Sequence, residues 1–148
     1  MKRVIISSVL LGTLLAGVVA AGESGDIKRL HVYPWEASVG YSQIVVAGRN
    51  VYLSGVTSEK DTLAAQLEDI YTQIGNQLAQ VGLSYEHIVK EVIFTTDLAE
   101  LQRHGSVQKA FFAEKGYPAS SWVEVAALFT EHHMVEVEVV AFMPETLD

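Results

Sequence analysis

"DTLAAQLEDIYTQIGNQLAQVGLSYEHIVKEVIFTTD", residues 61–97, changes its hydrophobic period part-way, and that change sets the fold class. Leu63, Leu67, Ile70, Ile74, Leu78 and Val81 recur at intervals of three and four, which lays a single apolar stripe along an amphipathic helix. Gly82 supplies a stop, because glycine takes the left-handed conformation that ends helices. From His87 to Asp97 the pattern becomes a compact apolar run, which predicts a strand buried on both faces. A helix with one stripe to bury, next to such a strand, calls for a helical layer laid on a sheet.

The flanking segments extend this plan. Upstream, "IKRLHVYP" (27–34) predicts a short edge strand closed by Pro34, and "YSQIVVAGRNVYLSG" (41–55) predicts two strands around the turn Gly48-Arg49-Asn50. Downstream, "LAELQRHGSVQKAFFAEKG" (98–116) predicts a broken helical segment, irregular near Gly105, with Val107, Ala110 and Phe111 on its inner side. "YPASSWVEVAALF" (117–129) and "MVEVEVVAF" (134–142) alternate as strands. The order β-β-β-α-β-α-β-β, without repeats, predicts an α+β fold: a mixed six-stranded sheet with two helices on one face.

Two helices cover only one side of such a sheet. The other side is expected to carry Val45, Trp122, Ala126, Val140 and Phe142, or their register neighbours, an apolar surface that argues for self-association. Ser120, Trp122 and Glu124 are expected on that same side, together with Glu136 and Glu138 of the last strand. Carboxylates at such an interface must be hydrogen-bonded, paired with a cation, or raised in pKa.

The 148 residues, 49% of them hydrophobic, suit one compact domain. Lys2 and Arg3 precede the apolar run "VIISSVLLGTLLAGVVAA", which closes in small residues, the layout of a secretory signal peptide. Residues 1–21 are therefore expected to be a signal peptide and 22–148 the exported domain, periplasmic or secreted. The run is short for a span and interrupted by Gly and Ala, so no stable membrane insertion is expected once it is removed. Losing Lys2 and Arg3 takes 10 basic residues to 8 against 18 acidic ones, and the formal charge from −8 to −10. Phosphate backbones are bound by clustered Lys and Arg, so no nucleic-acid partner is expected. The chain has no cysteine, which excludes disulfides, thiolate metal sites and a cysteine nucleophile. Glu131-His132-His133 is the densest run of metal-ligand types, but adjacent histidines diverge on an extended chain and no third ligand has a recognisable spacing. A solvated loop without a metal is expected there, and no cofactor is called for.

"GYSQIVVAGRNVYLSG", "IVKEVIFTTDLAEL", "AFFAEKGYPASSWVEVAAL" and "VEVEVVAF" occur in that order from about Tyr41 to Phe142, the first beginning at Gly40. Together they resemble the reactive intermediate deaminase (Rid) family of small chorismate-mutase-like α+β proteins. The resemblance implies a homotrimer with clefts between subunits and cofactor-free hydrolysis of enamines and imines to ketoacids and ammonia. It also implies site residues. Tyr41 matches the tyrosine of the family's "GPY", Ser54 the hydroxyl residue before glycine in its "SGQ", and Glu136 the carboxylate that positions the hydrolytic water.

Two positions depart from the family pattern. Where active members read Pro-Ala-Arg-Ser, with an arginine that pairs with the substrate carboxylate, this chain reads Pro118-Ala119-Ser120-Ser121. Guanidinium suits bidentate carboxylate recognition, so Ser120 in its place removes an interaction worth about 2–5 kcal/mol. Trp122 replaces a small side chain, either as packing that narrows the pocket or as an aromatic wall for an apolar or cyclic ligand, and an asparagine common in the preceding helix falls at Gly105. Arg103 and Lys109 are the nearby cations in sequence. Two functions follow: an exported Rid-like hydrolase of small imines or enamines using Glu136, Tyr41, Ser54, Ser120 and Trp122, or a non-catalytic binder of small metabolites.

Overall fold

A computed structural model describes residues 27–145, so the expected leader at 1–21 lies outside the described residues. The elements are β1 (Ile27–Leu30), α1 (Glu36–Val39), β2 (Ile44–Ala47), β3 (Asn50–Val56), α2 (Leu63–Ala79), β4 (Ile88–Thr95), α3 (Leu98–Arg103), α4 (Gly105–Phe112), β5 (Ala119–Glu124) and β6 (Val135–Phe142). The six strands form one sheet in the order β1-β2-β3-β6-β4-β5, antiparallel throughout except for the parallel pair β4–β5 that α3 and α4 bridge. The α+β layering and six mixed strands expected from the sequence are present.

The local chemistry behind these elements is direct. Thr62 caps α2 by accepting the Ala65 amide at 3.3 Å, and Gly82 ends its last turn with φ +75. Leu63, Leu67, Ile70, Ile74 and Leu78 are all buried against Val51, Leu53, Ile93, Val137 and Val139 of the sheet. The turn between β2 and β3 closes on Gly48, φ +60, with Ala47 paired to Asn50. The broken segment 98–116 resolves into two helices joined at His104, because Asp97 caps the first and Gly105 opens the second.

Several expectations are corrected. The first strand ends at Leu30 rather than Pro34 and residues after it turn into the one-turn helix α1; with the second helical segment split into α3 and α4, four α-helices stand where two were expected. β5 ends at Glu124, leaving Ala126 outside the sheet. Most consequential is the facing of β5. Trp122 pairs with Ile93, and Ile93 pairs with Val137, so all three point into the helical layer. Phe94, by contrast, pairs with Val123 on one side and Glu136 on the other, on the opposite face. Trp122, Ser120 and Glu124 therefore lie across the sheet from Glu136 and Glu138. The uncovered face carries Val45, Tyr52, Val92, Phe94, Val123, Val140 and Phe142, with Tyr52 and Phe142 still 44% and 40% exposed.

β4 shows how a strand can be polar inside. Glu91 is fully buried, accepting from the Tyr71 hydroxyl at 2.7 Å and the Gln108 amide at 2.7 Å, so α2 and α4 are tied to the sheet through one carboxyl group. Burial, reinforced by Glu91, pushes the Tyr71 phenol far above its ordinary range and keeps it a donor. Tyr71→Phe leaves Glu91 short of one partner in a dry site. Urea unfolding of that variant should show a loss of about 1–3 kcal/mol.

Candidate functional site

The pairing of β3 with β6 slips at one point. Leu53 opposes Val139 and Val56 opposes Val137, so Ser54 and Gly55 together face the single residue Glu138. This is a β-bulge, and glycine marks it. A Cβ on Gly55 would stand 1.7 Å from Oε1 of Glu136, so the carboxylate occupies the space a side chain would need. Glu136 is half-buried there; burial first, then repulsion from Glu138, raise its pKa above 4.5, and the opposing pull of His133 does not cancel them.

Gly55 also forms part of the wall of a cleft of about 490 Å³, whose lining includes Tyr41, Gln43, Tyr33, Trp35 and Asp69. Tyr41 is held at the cleft by the segment after it. The Ser54 hydroxyl donates to the Ser42 carbonyl at 2.8 Å, the Ser54 amide donates to Gln43 O at 3.0 Å, and the Gln43 side chain donates back to Ser54 O at 2.9 Å. Ser54 thus fixes the loop behind Tyr41. It lines a second, smaller cavity of about 270 Å³ on the uncovered face, beside Glu138 and Lys90.

Ser120 and Trp122 form a separate group. The Trp122 indole donates to the Ser120 hydroxyl at 2.9 Å, and its ring edge comes within 3.1 Å of where a Cβ on Gly105 would be. A glycine at 105 and a tryptophan at 122 therefore fit one another. Arg103 is engaged with Glu100, which also binds His104 at 2.8 Å. Glu124 accepts the Leu98 amide at 2.9 Å and serves as a cap for α3, which explains one of the three strand carboxylates without any interface. Within one chain, Tyr41, Gly55 and Glu136 come together; Ser120 and Trp122 do not join them.

Three features of the site escaped the sequence. Glu36 is fully buried and accepts from the amides of Val32, Tyr33 and Gln43 at 2.7, 2.6 and 2.8 Å and contacts His31 Nδ1 at 3.0 Å. Its burial favours protonation, but these donors together outweigh it and its pKa is lowered. Asp69 and Gln73, one helical turn apart on α2, carry a polar chain up to Tyr33, whose hydroxyl donates to Gln73 at 2.9 Å. His133, expected in a solvated loop, is buried and bonded to Glu59 at 2.9 Å, because Gln66 clamps that loop by binding His132 O and the Met134 amide. The i,i+4 spacing of Asp69 and Gln73 beside the apolar stripe was the legible signal; Glu36 and His133 left none.

The family profile described as Endoribonuclease L-PSP matches residues 33–143, the whole of the cleft and both groups of site residues. The chain belongs to the Rid family. A RutC family protein of Buchnera aphidicola is 30% identical over 123 residues, covering 78% of this chain and 97% of that one. Reactive Intermediate Deaminase A of Arabidopsis thaliana is 29% identical over 109 residues, 68% of this chain and 57% of the relative. A crystal structure from Mycobacterium tuberculosis, of a member of the YjgF/YER057c/UK114 family, superposes with TM-score 0.74 at 31% identity over 80% of this chain and all of that one. The chorismate-mutase-like α+β fold of the Rid family is therefore the fold of this chain.

In this Rid chain the position of Glu136 depends on a missing methyl group. The three atoms nearest a Cβ at residue 55 all belong to the Glu136 side chain rather than to backbone, so in Gly55→Ala that side chain must move and the fold should survive with about 1 kcal/mol lost in urea unfolding. A crystal structure of the variant should show the Glu136 carboxylate turned away from residue 55.

Proposed function

We propose that this Rid protein is an exported, self-associating hydrolase of small imines or enamines, with Glu136 as the proton-handling group. The observation that carries this reading is the Glu136 carboxylate resting on Gly55 at the edge of a cleft, with its pKa raised toward the range of a useful acid-base catalyst. Glu136 takes a proton from water as the oxygen bonds to the imine carbon, the C=N electron pair moves to nitrogen, and Glu136 returns that proton to nitrogen. The carbinolamine then loses its C–N bond; ammonia leaves, a carbonyl forms, and Glu136 carries the proton between oxygen and nitrogen. Imine and water become carbonyl and ammonia, with no redox step.

Self-association supplies what one chain lacks. The uncovered sheet face, rich in Val, Phe and Tyr, favours burial against copies of the chain, and the edge strand β5 that carries Ser120 and Trp122 stands open to a neighbouring copy. The homotrimer implied by the family resemblance is the assembly we favour. The charged and apolar run at residues 1–21, read as a leader, supports a mature protein in the periplasm or outside the cell. The formal charge, −8 for the whole chain and −10 without Lys2 and Arg3, weighs against RNA as substrate.

A second reading, a binder of small metabolites without catalysis, draws on the other group. Ser120 stands where the resemblance puts a substrate-binding arginine, and its hydroxyl is already engaged by Trp122.

Hydrolysis of imines generated in situ from a panel of amines and amino acids separates the two. The hydrolase reading expects catalysis by the purified processed protein and a loss of at least about 10²-fold in Glu136→Gln. Equal rates in protein and Glu136→Gln would leave the binder. Should Ser120→Arg confer activity on imines that bear a carboxylate, loss of the arginine accounts for the original selectivity.

A further inference from the structure

Resting on the reading that the cleft beside Glu136 binds small molecules, we propose that its ligand carries a cationic nitrogen, as a protonated amine or iminium, in place of a carboxylate, and seats that cation against Trp35. The wall of the cleft is aromatic and fixed. Tyr33 and Trp35 stack with centroids 4.7 Å apart and planes 8° from parallel, and Trp35 remains 52% exposed at the cleft. Tyr33 is prevented from turning by its hydroxyl bond to Gln73 at 2.9 Å, and Gln73 by its own bond to Asp69 at 2.8 Å. Asp69 is held in turn by the Ser58 hydroxyl at 2.7 Å, with both bonds on the same oxygen, Oδ2. An ordered indole with half its surface accessible is the surface on which a desolvated cation is best received.

Charge around the cleft agrees. Glu59 and Asp69 line it and Glu136 lies against its Gly55 wall, whereas Lys60 is the lining cation among the described residues. Glu59 is partly answered by His133, but Asp69 in the lining and Glu136 behind Gly55 have no Lys or Arg bonded to them among the described residues. A carboxylate ligand would meet this field unfavourably, while an iminium is drawn to it and is also the form of an imine most open to attack by water. The Ser120 position adds no cation to correct the balance.

Titration calorimetry of the purified protein at pH 7 with benzylamine, benzyl alcohol and benzoate reads the preference directly. Benzylammonium should bind at least tenfold more tightly than benzoate or the alcohol. Trp35→Leu, a change at an exposed position, should weaken it fivefold or more, and Lys60→Gln should leave it equal or tighter. Benzoate binding as tightly as benzylammonium, with the affinity lost in Lys60→Gln, overturns the inference, as does benzylammonium affinity unaffected by Trp35→Leu. The imine panel keeps the two proposals apart. Benzylammonium binding without hydrolysis sustains this inference and removes the hydrolase, whereas hydrolysis confined to carboxylate-bearing imines does the reverse.

Discussion

A carboxylate lying on a bare Cα governs this molecule's chemistry. Glu136 can reach its position only because residue 55 is glycine, and residue 55 stands where it does only because β3 bulges against β6. The bulge is itself secured from the other side. Glu36, buried and fed by three backbone amides, draws the β1–β2 connection inward and binds the Gln43 amide; Gln43 and Ser42 then bond to Ser54, the first residue of the bulge. One acid, stabilised as a carboxylate by donors, therefore positions another whose environment favours its proton. The contrast between them comes from donors: Glu36 is surrounded by N–H groups that outweigh its burial, whereas burial and then the neighbouring Glu138 act on Glu136.

The second constraint is the alternation of β4. It stands between β5 and β6 and assigns each of their residues to one face of the sheet. Glu91, Ile93 and Thr95 go into the helical layer, where Tyr71 and Gln108 complete the hydrogen bonds of the acid; Val92 and Phe94 go to the uncovered side. The same strand thus makes a core and an adhesive surface. It also separates Trp122 from Glu136, which stand on opposite faces of the sheet.

Periodicity made much of this legible in advance. The stripe from Leu63 to Leu78 and the alternation of 134–142 are local patterns with local causes, and the helix and the strand followed from them. The facing of Trp122 relative to Glu136 is different, because it depends on the register of an intervening strand paired in parallel on one side and antiparallel on the other. No spacing within 117–142 encodes that. Glu36 looked like any acid after a proline and a tryptophan; its partners arise only when the chain turns back at Gly40. Tyr33 and Gln73 are forty positions apart, so the fixed aromatic wall was invisible to any window of sequence. Gly55 inside a strand pattern was a readable sign of a bulge.

The chemistry proposed for the cleft depends on the environment of Glu136, and a carbon-13 NMR titration of its side-chain carboxyl reports that environment most directly. The midpoint should lie above the ordinary 4.5 in the native protein and move down toward it in Glu138→Gln, because removing the neighbouring negative charge eases ionisation. A midpoint at or below 4.5, unmoved by the loss of Glu138, would contradict the account.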